Sequence, residues 1–142
     1  MKPIGRELAV IGKSYLHALN LMLNSLDIER NFYALLLIEN AECKITQQQL
    51  ACQLEIDKVS MLRSIDYLSE NGYVQRIKNN LDKRTYSLEL TPKARMALPE
   101  IKKAYDTMNQ IALKGLSKQQ IAELSANIKI IKTNLNEYTS SL

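Results

Sequence analysis

The stretch ITQQQLACQLEIDKVSMLRSIDYLSENGYVQRIKNNLDKRTYSLEL, Ile45 to Leu90, decides the fold. It opens on Thr46-Gln47-Gln48-Gln49, a hydroxyl followed three positions later by an amide, the spacing of a reciprocal helix cap. Leu50, Ala51 and Leu54 follow as the buried face of a short helix, and Glu55-Ile56 makes a turn. Asp57 then caps a helix running to Asn71, with Met61, Ser64, Ile65 and Leu68 facing inward. Asn71-Gly72 stops it, because glycine enters the left-handed conformation without a Cβ clash. Tyr73 to Lys78 and Thr85 to Leu90 read as strands, the second alternating Tyr86, Leu88 and Leu90 with Thr85, Ser87 and Glu89. Asn79-Asn80-Leu81-Asp82 supplies turn residues between them.

Helix, turn, helix and basic hairpin in that order predict a winged helix-turn-helix. Outward from it the chain is helical. A first helix is expected from Ile4 to Asn24, with an apolar stripe of Ile4, Leu8, Ile11, Tyr15, Leu19, Met22 and Leu26. Asp27 is the expected cap of a central helix carrying Phe32, Leu35, Leu36 and Ile38, and Asn40 to Lys44 reads as loop. Thr91-Pro92 opens a later helix with Leu98, Ile101, Tyr105, Met108 and Ala112 on one side. Pro99 lies inside that pattern and is expected to kink it or mark its true start. Gly115 breaks it, and Ser117 to Gln120 repeats the capping-box spacing. The last helix carries a heptad seam, Ile121, Leu124, Ile128, Ile131, Leu135 and Tyr138. The expected fold is therefore mainly α with a small β-hairpin wing. Residues 27–91 form the winged lobe, and 1–26 with 92–142 form a helical dimerisation region. The heptad seam needs a partner, and Ile4, Leu8 and Ile11 are the apolar positions of the first helix that suit the same scaffold.

Composition narrows the classes. The 142 residues are 46% hydrophobic and 24% charged, ordinary for a globular domain. Lys plus Arg exceeds Asp plus Glu by 19 to 15, a mild excess compatible with nucleic acid without demanding it. Lys2, Arg6 and Glu7 leave no apolar signal region at the start, and the longest apolar run, Tyr33 to Ile38, is far too short to span a bilayer. Cys43 and Cys52 make neither a framework nor a Cys-x-x-Cys site. A cytoplasmic protein without a membrane partner is the expectation. No phosphate-cradling glycine loop is present, the lone His17 supports neither a triad nor a metal site, and the acids are scattered. We therefore expect no enzyme, no catalytic residue, no metal and no cofactor.

The charge that matters is local. On the Asp57–Asn71 helix the outward positions are Lys58, Val59, Ser60, Leu62, Arg63 and Tyr67. Arg63 suits a bidentate contact with guanine, and Ser60 a base or a phosphate. Val59 and Leu62 are unusual on an exposed face, and two readings stay open: contact with thymine methyl groups, or membership of a larger core. Arg76, Lys78, Lys83 and Arg84 crowd the hairpin against one acid, Asp82. A basic hairpin alone is an ordinary solvated turn. Its position after the helix pair is what points to double-stranded DNA.

Ile45 to Ala94 resembles the core of the MarR family of transcription factors, and with its flanking helices the likeness covers nearly the whole chain. Leu68-Ser69-Glu70-Asn71-Gly72 matches the family's helix end, Val74-Gln75-Arg76 its basic strand, Asp82-Lys83-Arg84 its Asp-x-Arg wing, and Leu88-Glu89-Leu90-Thr91 its Leu-Thr strand end. The resemblance implies that Arg84 enters a minor groove, oriented by Asp82, while Arg76 and Lys83 meet phosphates. It implies a homodimer, interlocked through both terminal helices, and a repressor on a pseudo-palindromic operator. Half-sites would lie about 34–36 Å apart. It also implies a small aromatic or phenolic ligand in a cleft, for which Tyr15, His17, Phe32, Tyr33 and Tyr105 are the candidates. These aromatics have the alternative reading of core or rim. The chain departs from the family at Leu62, where threonine is common, and at Ala94, where glycine is. A helical module that holds another protein without touching DNA remains the alternative function.

Overall fold

The computed structural model describes residues 1–78 and 84–142. In chain order the elements are α1 (Ile4–Met22), α2 (Phe32–Asn40), β1 (Ile45–Thr46), α3 (Gln47–Leu54), α4 (Lys58–Glu70), β2 (Val74–Lys78), β3 (Tyr86–Leu90), α5 (Pro92–Ala112) and α6 (Lys118–Ser141). The chain is mainly helical, with a small antiparallel sheet forming the base of the wing. It divides into two compact units, Met1–Met108 and Asn109–Leu142. None of the described helices is long and apolar enough to cross a membrane.

The capping expectations around α3 and α4 hold. Thr46 Oγ1 accepts from the Gln49 amide at 3.1 Å, while Gln49 Oε1 accepts from the Thr46 amide at 2.9 Å. Glu55 closes α3 in the left-handed conformation (φ 55°), with the Ile56 amide donating back to Ala51 at 3.1 Å. The described sheet has the order β1-β3-β2, so it is larger than the expected hairpin. Ile45 and Thr46 pair with Leu88 and Ser87. A two-residue strand has no periodicity to read, and it is created by β3 offering its free edge.

Inside the first unit one core joins Leu19, Leu23, Phe32, Leu35, Ile38, Leu50, Met61, Ile65, Leu68, Leu88 and Ile101. Fully burying such side chains is worth about 1.5–3 kcal/mol each. Two expectations are corrected. Asp27 does not cap α2: residues 27–30 are turn, Glu29 is left-handed (φ 55°), and the helix begins at Phe32 after Asn31. Nor does Pro99 start α5, which runs unbroken from Pro92 to Ala112. The start is earlier because Thr91 Oγ1 accepts from the Ala94 amide at 3.2 Å and Pro92 needs no amide partner in the first turn.

The terminal helices are different. On α1, Leu19 is buried, but Ile4, Leu8 and Ile11 are exposed. In the second unit α6 opens on Ser117, whose side chain and the Gln120 amide oxygen cap it reciprocally at 3.1 and 2.8 Å. Ile121 and Ile131 are half-buried, Leu124, Ile128, Leu135 and Tyr138 are exposed, and no α6 residue is buried.

Candidate nucleic-acid interface

Helix α4 is fixed at both ends and along its back. At its start Asp57 accepts from the Ser60 amide and from Ser60 Oγ, both at 2.8 Å. Those bonds hold the Asp57 carboxyl below its ordinary range. At its end Gly72 takes φ 79°, the Gly72 amide donates to Ser69 at 3.0 Å, and the Tyr73 amide donates to Leu68 at 2.8 Å. This pair of bonds satisfies the last carbonyls of the helix. Lys93 Nζ donates to the Asn71 carbonyl at 2.7 Å and stands 4.4 Å from the Tyr73 ring centre. Met61, Ile65 and Leu68 bury the back.

The front is left open. Lys58, Val59, Ser60, Leu62 and Arg63 are exposed, and Tyr67 is half-buried. Burial, and then the nearby charges of Glu29 and Asp27, push the Tyr67 hydroxyl above its usual range. Ser60 is less available than its exposure suggests, because its hydroxyl proton is already given to Asp57. Arg63 lines an open groove with Arg30, Glu29, Asn20 and Asn24.

Lys58 and Leu62 of α4 meet Arg84 and Tyr86 of the wing around a second concavity of about 290 Å³. Gln48 from α3 lies on the same wall. The fold thus gathers an α4 lysine and a wing arginine that are 26 positions apart along the chain. Tyr86, expected to share the inward face of Leu88 and Leu90, is exposed and belongs to this concavity instead. Lys78 is exposed near the end of β2, while Asp82 and Lys83 lie outside the described residues.

Arg76 has another task. Its Nη2 meets Asp66 Oδ1 at 2.6 Å and its Nε donates to Gln47 Oε1 at 3.2 Å. One guanidinium therefore ties β2 to α4 and to the start of α3. Of the two predicted phosphate contacts, this one is engaged inside the lobe. Asp66 and Gln47 escaped the sequence reading because they stand 10 and 29 positions from Arg76, with no local period to link them.

Three of the five aromatic candidates gather. Tyr33 and Tyr105 meet edge to face, with ring centres 6.4 Å apart. Burial, then the neighbouring Tyr15 and Tyr33, push the Tyr105 hydroxyl up to about 12. Phe32 is closed into the core at 2% exposure, and His17 is exposed on α1. Near the α2–β1 loop, Arg95 Nη2 lies 3.5 Å from Cys43 Sγ, while Cys52 is exposed.

Comparison with known proteins agrees with this geometry. The model of the MarR family matches residues 29–86. The HTH-type transcriptional regulator BilQ of Clostridioides difficile (strain CD3) is 28% identical over 71% of this chain and 67% of its own length. A putative MarR family transcriptional regulator from Listeria monocytogenes, solved complexed with a 26mer DNA, superposes with a TM-score of 0.86 at 28% identity, covering 96% of this chain and 91% of that one. A mutant MarR from E. coli, complexed with operator DNA, gives a TM-score of 0.83 at 27% identity, over 92% of this chain and 94% of that one.

Proposed function

We propose that the chain is a transcription regulator of the MarR type and not an enzyme, working as a homodimeric repressor on a pseudo-palindromic operator. The observation that carries the reading is the concavity where Lys58 and Leu62 of a rigidly capped helix meet Arg84 of the wing. A helix lysine and a wing arginine that line one concavity beside a groove-sized helix suit a duplex, whose backbone offers phosphates there. The DNA complexes of the two superposing relatives support the same reading. In it the exposed face of α4, from Lys58 to Tyr67, enters the major groove. Arg84, with Asp82 and Lys83, takes the minor groove, where negative potential is greatest. Lys78 meets the backbone.

Two copies would pair through the exposed apolar positions of α1 and α6 and work as a cytoplasmic dimer, with residues 1–26 and 92–142 as the pairing region. A small phenolic or aromatic ligand would sit against Tyr15, Tyr33 and Tyr105 and shift the spacing of the two wings. The gathering of those three rings supports that part.

Binding of the purified protein to its own upstream DNA, followed across salt concentration, tests the reading. Arg84→Ala is expected to weaken every duplex and to reduce the slope of log affinity against log salt by about one. Unchanged affinity and slope would remove the wing from the mechanism.

A further inference from the structure

The recognition face has an apolar centre. Val59 is 59% exposed and Leu62 48%, in the first turns of a helix whose back is fully packed. They stand three residues apart, hence on one side of α4, separated by about 4.5 Å along its axis. Neighbouring base pairs are about 3.4 Å apart. Lys58 and Arg63 flank this pair along α4, and Leu62 shares its concavity with Lys58 and Arg84. Ser60, the polar residue between them, has its hydroxyl proton bound to Asp57.

Resting on the DNA-binding reading above, we propose that Val59 and Leu62 read thymine C5-methyl groups at adjacent base steps, so that each half-site places T·A pairs beneath the start of α4. The apolar atoms of a major groove belong to thymine, and contact with them is the means by which an aliphatic side chain discriminates among bases. A protein partner fits less well. Two side chains flanked by Lys58 and Arg63 are too small to make the several-hundred-Å² apolar patch that marks such a surface. The cations instead complement the phosphates on either side of a thymine step. The larger-core alternative fails, because both side chains are exposed.

The probe is a duplex that the full-length protein selects from a random pool. Each thymine in turn is replaced by uracil, which removes only the methyl group. We expect affinity to fall about fourfold for each contacted methyl, from the free energy of burying one such group, at one or two neighbouring positions in each half-site. In the doubly substituted V59A, L62A protein those same replacements should no longer change affinity. A selected duplex indifferent to uracil at every position overturns the proposal while leaving DNA binding intact. So does a uracil effect that persists undiminished in the double variant. Failure to enrich any duplex would overturn the DNA-binding reading itself, and this proposal with it.

Discussion

Helices α4 and α6 follow the same local rules and reach different ends. Each begins on a capping side chain that accepts from an amide three residues on, Asp57 from Ser60 and Ser117 from Gln120. Each carries apolar residues three and four apart. Yet α4 buries Met61, Ile65 and Leu68, whereas α6 buries nothing and leaves Leu135 and Tyr138 at 59% and 64% exposure. Caps and propensity decide that a helix forms. What covers its apolar stripe is decided elsewhere, by the sheet and neighbouring helices for α4 and, in our proposal, by a second copy for α6. Most helical stability comes from packing, so the proposed second copy would supply the surface that the exposed stripe of this 24-residue helix lacks.

The sharpest way to break that contrast is to remove one residue from each stripe. Ile65→Ala should cost about 2–5 kcal/mol, since a fully buried side chain leaves a cavity. Denaturant titration should give that loss equally at low and high protein concentration. Replacing Ile128 and Leu135 together by serine should act through mass action instead. The wild-type melting temperature should rise with concentration, the variant's should not, and sedimentation should find a monomer. A seam variant that still sediments as a dimer would mean that α6 needs no second copy.

The same contrast explains what could be read from the residues alone. The caps at Thr46, Asp57 and Ser117, the stop at Gly72 and the inward stripe of α4 are short-range patterns, and each was legible. Strand β1 was not, because two residues carry no period and its existence depends on an edge supplied by β3. Asp27 has the chemistry of a cap but stands in a turn, so its local signal was overruled by the chain's path. Among the site residues, exposure along α4 followed from helical geometry. The convergence of Lys58 with Arg84 rested on the family resemblance and on topology, as did the meeting of Tyr15, Tyr33 and Tyr105. Phe32, read from its type as a possible ligand contact, was claimed by the core.

Arg76 and Arg84 offer a finer version of the comparison, within the wing itself. Arg76 is bound to Asp66 and Gln47, whereas Arg84 lines the concavity facing α4. Asp66→Asn should therefore lower stability by about 1 kcal/mol or less, the scale for a pair this open to solvent. It should also reduce duplex affinity modestly by loosening the wing. The salt slope should stay at the wild-type value, because no phosphate contact is lost. If Asp66→Asn flattens the slope as Arg84→Ala is expected to, then Arg76 touches phosphate after all and the two arginines share one role.

The smallest effect separates the packed tyrosines from the open surface by pH. Tyr105 is pushed up from 10.0 to about 12, chiefly by burial. The folded state thus favours its neutral phenol more than the unfolded state does. The stabilisation is fully present below about pH 10 and is lost as pH rises through about 12. Over that window unfolding should become easier in the wild type than in Tyr105→Phe, which keeps the ring and removes the titrating proton. Its edge-to-face contact with Tyr33 survives the change, so the two proteins should have similar stability near neutrality. Ultraviolet titration of the folded protein supplies the companion measurement: the last tyrosinate to appear in the wild type should be missing from the variant. Identical alkaline unfolding curves for the two proteins would show that the Tyr105 hydroxyl is as open to solvent as the face of α6.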